Sequence, residues 1–267
     1  MDWHAAVLRA INCPPSGANQ NISMSEETGV AAVDRALNIL SVFTAQDSSL
    51  TLTVIAERTG LYKSTVLRLL ESLQRANYLV RISDGSYQIG FKPLQLGAIF
   101  QRQFRLSEYV PPLLREVVAQ LGESASFYVP AREGRICLYR VDAPRMIRDA
   151  VREGDWRPLD NGAAGSVIMA FRGDAGDKLD RIRQEFWAAS LGNEVDPELA
   201  AVSVPVFSSD NVLAGALSIS GPRYRLEESG TRSYVPVLLN AARRLSESFG
   251  ADVSQYPRAD GRSVGAP

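Results

Sequence analysis

The chain has 267 residues, 45% of them hydrophobic, and its 29 basic and 30 acidic side chains leave a net charge of -1. That length and apolar content can supply two modest cores, while the balanced charge excludes a chain coated in basic residues for nonspecific polyanion binding. The two cysteines, Cys13 and Cys137, do not form a disulfide framework and fit a reducing compartment. No apolar run approaches the ~18 residues that suggest a membrane span.

Residues 1–28 contain no hydrophobic core of a signal peptide and are expected to be a disordered tail, with Met24 as an alternative start. After them, Val33, Ala36, Leu37, Ile39, Leu40 and Phe43 recur at helical spacing, and Asp34 stands where it could open the helix.

Residues 52–71 read as a helix-turn-helix. Ile55 and the small Ala56 lie on the first helix, Gly60 supplies a turn with positive φ, and Leu61, Val66, Leu69, Leu70 and Leu73 give the second helix one apolar face. Ser64 and Thr65 fall near the start of that helix, the part a recognition helix presents to the major groove. An ordinary αα-hairpin would share the turn glycine. Residues 78–82 and 86–90, however, alternate around Ser83, Asp84, Gly85 and Ser86 as a β-hairpin. Helix, helix-turn-helix and hairpin in that order make a winged helix. Seven basic against five acidic residues across 30–92 give it a small local positive excess.

Residues 94–105 predict a linker helix and 109–121 a second one, opened near Pro111 and Pro112 and closed by Gly122. Short strands follow: 125–131 and 135–143 around a Glu133-Gly134 turn, then 200–208 and 212–222 around Ser209, Asp210 and Asn211. A helix over 227–249 ends the pattern, and 251–267 reads as a second disordered tail. The expected architecture is α+β. A winged helix-turn-helix over 29–92 is joined by a linker helix over 93–107 to a domain over 108–250 with a central antiparallel sheet.

With KSTVLRLL on its second helix and VPVFSSDNVLAGALSISGPRYRL near its end, the chain resembles the IclR family of bacterial transcriptional regulators over approximately residues 30–249. The resemblance implies a GAF-like effector-binding fold for the second domain and a cytoplasmic protein without a cofactor. It also implies a homodimer or homotetramer (a dimer of dimers) that binds double-stranded operator DNA, more often as a repressor, under control of a small organic effector. It marks Lys63, Ser64, Thr65, Leu67 and Arg68 as nearest to DNA. Arg68 could clamp a phosphate or a guanine, or pair internally with Glu57 or Glu71. Leu67 could meet a thymine methyl or pack inward. Arg81 in the hairpin is a candidate phosphate contact.

For the effector the resemblance marks Gly162, Ala163, Ala164 and Gly165, whose backbone N–H groups at a helix start could receive a carboxylate. Ser218 and Ser220 lie two apart on a strand and so share a face. Ser190 and Ala201 match further pocket positions, with Ile168 and Met169 as apolar lining. A tight loop and two satisfied core serines are the plain alternative. Ser166 and Asp160 stand where similar proteins carry Lys and His, the stretch 171–183 is short by about one helix, and Trp187 replaces a smaller aromatic. A small aromatic or aliphatic carboxylate is therefore the default effector, and a regulator that has lost effector binding is the alternative.

Catalysis finds no footing in the sequence. The only histidine, His4, lies in the N-terminal tail, and no P-loop, nucleophile elbow or metal-ligand spacing is present. Cys137 reads as a small buried hydrophobe and Glu227-Glu228 as a solvated helix start.

Overall fold

The computed structural model describes residues 30–44, 47–103, 106–132, 134–192 and 196–257. Cys13, His4, Met24 and the Glu133 turn position lie outside the described residues. The described residues fold into two compact units, one up to residue 103 and one from 106 onward.

The first unit comprises α1 (Ala31–Ser41), α2 (Leu52–Thr59), α3 (Lys63–Arg75), the strands β1 (Leu79–Arg81) and β2 (Tyr87–Ile89), and α4 (Lys92–Gln103). Its core joins Ile39, Leu50, Ile55, Val66, Leu70, Leu79 and Tyr87. The Thr51 hydroxyl accepts the Val54 N–H and caps α2. Gly60, at φ +69°, ends α2 in the left-handed conformation that glycine adopts at least cost.

Helix α1 starts at Ala31, before Asp34, which lies inside the first turn near the positive end of the helix dipole. Ile39 is buried, whereas Val33 and Leu37, expected on the inner face, are 53% and 55% exposed. In the wing, the Asp84 carboxylate accepts the N–H and the hydroxyl of Ser86 at 2.8 and 2.6 Å. Leu50 exchanges two 2.8 Å backbone hydrogen bonds with Tyr87, which ties the segment before α2 to the hairpin edge.

The second unit comprises α5 (Leu106–Leu121), β3 (Ser124–Ala131), β4 (Gly134–Val141), β5 (Trp156–Pro158), α6 (Gly162–Arg172), α7 (Asp177–Glu185), β6 (Ala188–Leu191), β7 (Leu199–Phe207), β8 (Leu213–Pro222), α8 (Arg223–Glu228) and α9 (Val235–Ser248). Among the described residues the strands form one antiparallel sheet in the order β5-β4-β3-β8-β7-β6. Helices α5 and α9 pair on one face, linked by Arg244 and Glu116 at 2.6 Å, and Phe249 at the end of α9 meets the Phe127 ring of β3 edge-on. Helix α6 packs against β6, β7 and β8.

Two expected elements differ. Helix α5 begins before the two prolines and carries both inside it, so Pro111 and Pro112 supply no N–H to the carbonyls four residues back. The single helix expected over 227–249 is broken. Helix α8 starts at Arg223 and ends at Glu228, Gly230 turns the chain at φ +73°, a 3-10 turn spans Thr231–Tyr234, and Pro236 fits the first turn of α9, where no N–H is needed.

Asp47 accepts hydrogen bonds from Arg58 at 2.7 and 3.0 Å and from Thr44, while Arg58 also donates to the Val42 carbonyl. The Arg58 hydrogen bonds first, then those of Thr44, hold the Asp47 carboxyl well below its ordinary value. A carboxyl lowered by folding stabilises the fold above its unfolded pKa, and that contribution is lost as pH falls through the folded value. Asp47→Asn should therefore speed hydrogen exchange of the α1–α3 amides at neutral pH. The difference from the parent should shrink on acidification below the ordinary carboxylate range. An equal difference at all pH values would assign the effect to something other than ionisation.

Candidate functional site

In α3 the buried Val66, Leu70 and Leu73 fix the inner face. Lys63, Ser64, Leu67 and Arg68 are exposed as a consequence, and Thr65 is half-buried. Leu67 is 40% exposed, so it is not a core residue. The Arg68 guanidinium pairs with neither Glu57 nor Glu71, and Lys63 also makes no ion pair among the described residues. Arg58, by contrast, is held by Asp47. No side chain caps the start of α3, which leaves first-turn N–H groups open to an acceptor.

Arg81 folds back on the wing. Its Nε donates to the Gly85 carbonyl at 3.3 Å and its guanidinium lies 5.8 Å from the Tyr87 ring centre, yet the residue stays exposed. The sequence reading passed over Tyr62, which precedes α3 and is 85% exposed. A large aromatic at the mouth of the recognition helix was the available signal.

In the second unit the pairing register sets the other candidates in rows. Ser190 opposes Ala201, Ala201 opposes Ser220, and Ser220 opposes Ser124. The next row runs Ala188, Ser203, Ser218, Ser126, Arg140. Directly paired residues point to the same side of a sheet, so Ser190, Ala201, Ser218 and Ser220 share one face. Ser203 donates to Ser218 at 2.7 Å, and Ser218 donates on to the Val202 carbonyl at 3.3 Å. Ser220 donates to Asp149 at 2.9 Å.

Asp149 comes from the connection 142–155, which is mostly exposed apart from Ala143 and Asp149 itself. Its carboxylate pairs with Arg140, and both side chains are nearly fully buried. Arg140 also donates to Ser126 at 3.0 Å and to Asp142 at 2.7 Å. Burial works against the Arg140 charge, but Asp149 and Asp142 outweigh it and raise its pKa. The Cys137 thiol, buried on β4, is pushed up to about 12 and stays protonated, as a packing residue would.

Helix α6 begins at Gly162, which has φ +80°, and Asn161 before it provides no side-chain cap. Ala163, Ala164, Gly165 and Ile168 are buried, and Met169 is half-buried. The start of the helix faces the guanidinium of Arg135: a Cβ on Gly162 would lie 3.4 Å from Nη2, and one on Gly165 would lie 2.8 Å from Nη1. The stretch that looked short holds the nine-residue α7. Arg135, Arg140, Ser124, Ser126 and Asp149 were not singled out from sequence. Two arginines inside an otherwise apolar strand pattern were the signal for the first two.

An α3 face with free polar groups, set in a winged helix and joined in one chain to a helix-flanked antiparallel sheet, defines a DNA-binding transcriptional regulator. Residues 32–83 match the IclR helix-turn-helix domain, and residues 176–247 match the bacterial transcriptional regulator IclR C-terminal domain. The chain belongs to the IclR family. It is 27% identical to the HTH-type transcriptional regulator BhcR of Paracoccus denitrificans, over 87% of this chain and 92% of that one. An IclR-class transcriptional regulator from Alicyclobacillus acidocaldarius shares the fold with a TM-score of 0.71 at 25% identity, covering 82% of this chain and 98% of that one. An IclR homologue from Microbacterium hydrocarbonoxydans, solved with 4-hydroxybenzoate, superposes with a TM-score of 0.72 at 19% identity, covering 83% and 100%.

The buried Arg140–Asp149 pair makes its own prediction. Asp149→Ala leaves a buried guanidinium without its main partner and should cost about 3–5 kcal/mol in denaturant unfolding. Arg140→Met combined with Asp149→Leu should recover most of that loss. A double variant as unstable as the sum of the two single ones would show that the groups act independently.

Proposed function

We propose that the protein is a ligand-responsive regulator that reads a specific operator in double-stranded DNA as a homodimer or a dimer of dimers, in the repressing sense. The observation that carries this reading is the outward row Lys63, Ser64, Leu67 and Arg68 on α3, whose charged members have no ion partner among the described residues. In the major groove, Arg68 can grip a guanine through two parallel hydrogen bonds, Ser64 and Thr65 can reach phosphates or base edges, and Leu67 suits a thymine methyl. Arg81 adds a phosphate contact from the wing. The exposed Val33 and Leu37, four apart and so on one face of α1, support self-association of this unit.

In the second unit the start of α6 over Gly162, Ala163, Ala164 and Gly165, together with Ser190, Ala201, Ser218 and Ser220 on the sheet, serves a small organic effector, with a carboxylate as the favoured class. Support comes from the face shared by the four sheet residues and from the related protein solved with 4-hydroxybenzoate. A regulator without an effector is the second reading. The internal partners already held by Ser218 and Ser220 favour it.

Selection of the purified protein against random double-stranded DNA tests the main reading. A palindromic or repeated motif is expected, and no enrichment would overturn operator reading by the protein as purified. On the selected operator, Arg68→Ala should cost about 1–3 kcal/mol and relax the preference at one base position. Lys63→Ala should weaken all sequences alike and reduce the salt dependence by about one counterion. Equal losses for Arg68→Ala on operator and random DNA would reassign Arg68 to phosphate.

A further inference from the structure

Arg135 and Arg140 project from the same strand to the same side of the sheet, through their pairings with Pro130 and Ser126 beside Tyr128. Their surroundings differ. Arg140 has the carboxylates of Asp149 and Asp142 and the hydroxyl of Ser126. Arg135 is only 7% exposed and pairs with no carboxylate among the described residues. Its Nη1 donates to the Pro158 carbonyl, its Nε is buried without an acceptor, and its guanidinium lies over the Tyr128 ring at 5.3 Å. The charged groups near it are Arg157, a like charge itself occupied by Asp196 at 3.4 Å, and the exposed Asp160.

The other neighbour of Arg135 is the start of α6. Glycines at 162 and 165 leave room there for the guanidinium against the helix, and Gly165 also lies against the Leu159 carbonyl where any Cβ would collide. A helix start carries partial positive charge and N–H groups without intrahelical acceptors. Placing a buried guanidinium beside it adds charge of the same sign, the reverse of the usual arrangement. Arginine does not escape by losing its proton. Burial pushes its pKa down from the ordinary value. Buried charges are normally paired, and this one is left over by a single unit.

We infer that Arg135 and the first turn of α6 together hold the carboxylate of a small monoanionic effector. The assignment rests on the effector reading proposed above and names the residue that recognises the charge. The unused Nε edge of a guanidinium presents N–H groups in the geometry that donates to both oxygens of a carboxylate, and the α6 N–H groups approach from the helix side. The Tyr128 ring beneath the guanidinium gives this anchor a fixed plane.

The test uses the full-length protein and a panel of monocarboxylates from formate through pyruvate to benzoate, each with its neutral amide where one exists, followed by thermal shift and calorimetric titration. At least one carboxylate should raise the melting temperature and its amide should not. Arg135→Met should weaken that carboxylate about 10- to 100-fold, with Arg135→Lys between the two. Without ligand, Arg135→Met should melt no lower than the parent, because it removes an unpaired buried charge. Carboxylate binding unchanged in Arg135→Met would overturn the inference while leaving the effector reading intact. No response of the parent to any carboxylate would overturn both. A ligand-free Arg135→Met protein that melts well below the parent, with Arg135→Lys restoring it, would make Arg135 a structural clamp and also overturn the inference.

Discussion

Polar groups buried on one face of the central sheet set the terms for everything packed against that face. Ser124, Ser126, Ser203 and Ser218 are all at most 3% exposed, and Arg140 lies among them. Each needs a partner inside the protein, because an unmet buried hydroxyl or guanidinium costs more than a met one contributes. The sheet meets part of the need itself, through Ser203 and Ser218. The rest comes from the connection 142–155. The Ala143 N–H donates to Ser124 at 3.0 Å, and Asp149 receives Arg140 and Ser220. A buried ion pair adds little net stability, since desolvation offsets most of its attraction. What this one accomplishes is placement: a mostly exposed loop has one position in which its buried carboxylate is satisfied.

How much could be read from sequence follows from the range of the interactions. The helix-turn-helix was legible because its determinants are local. Gly60 supplies the turn, and Val66, Leu70 and Leu73 recur at one helical spacing and are buried together. The hairpin strands of the sheet were legible for the same reason, since alternation and turn residues lie within ten positions. Helix α1 was placed by its periodicity, but Val33 and Leu37 obey that periodicity and still face outward. The pattern marks an apolar stripe without saying what covers it. The helix over 227–249 was misread because propensity continues across Ser229 while Gly230 and Pro236 divide the chain. At the effector site the glycines of α6 and the strand serines were legible as positions on a motif. Arg135 and Asp149 were not, because their roles arise only when β4, the 142–155 connection and α6 are brought together from sequence positions up to some tens of residues apart.

The same connection is anchored to the end of α5. Arg145 donates to the Gly122 carbonyl at 2.8 Å, and Arg225 reaches the Ile147 carbonyl at 3.1 Å while gripping both oxygens of Glu123 at 2.7 and 2.9 Å. Glu123 is nearly fully buried, and Gly221 leaves the space its carboxylate occupies. Asp149, Ile147 and Arg145 thus fasten one short stretch of chain to the polar sheet face, to α8 and to the C-terminal end of α5. A change at Ser220 or Arg140 that displaced Asp149 would have to be absorbed within two to four residues by the contacts at Gly122 and Glu123. Useful regulation requires only about 1–3 kcal/mol of difference between two arrangements, the scale of one or two charge-assisted hydrogen bonds of the kind Arg225 makes here. A physical route from the sheet face to α5 therefore needs no long chain of residues. The 142–155 connection supplies it, because Ala143 and Asp149 are held on the polar sheet face, Arg145 on the Gly122 carbonyl and Ile147 on Arg225 of α8, all within the single stretch 143–149.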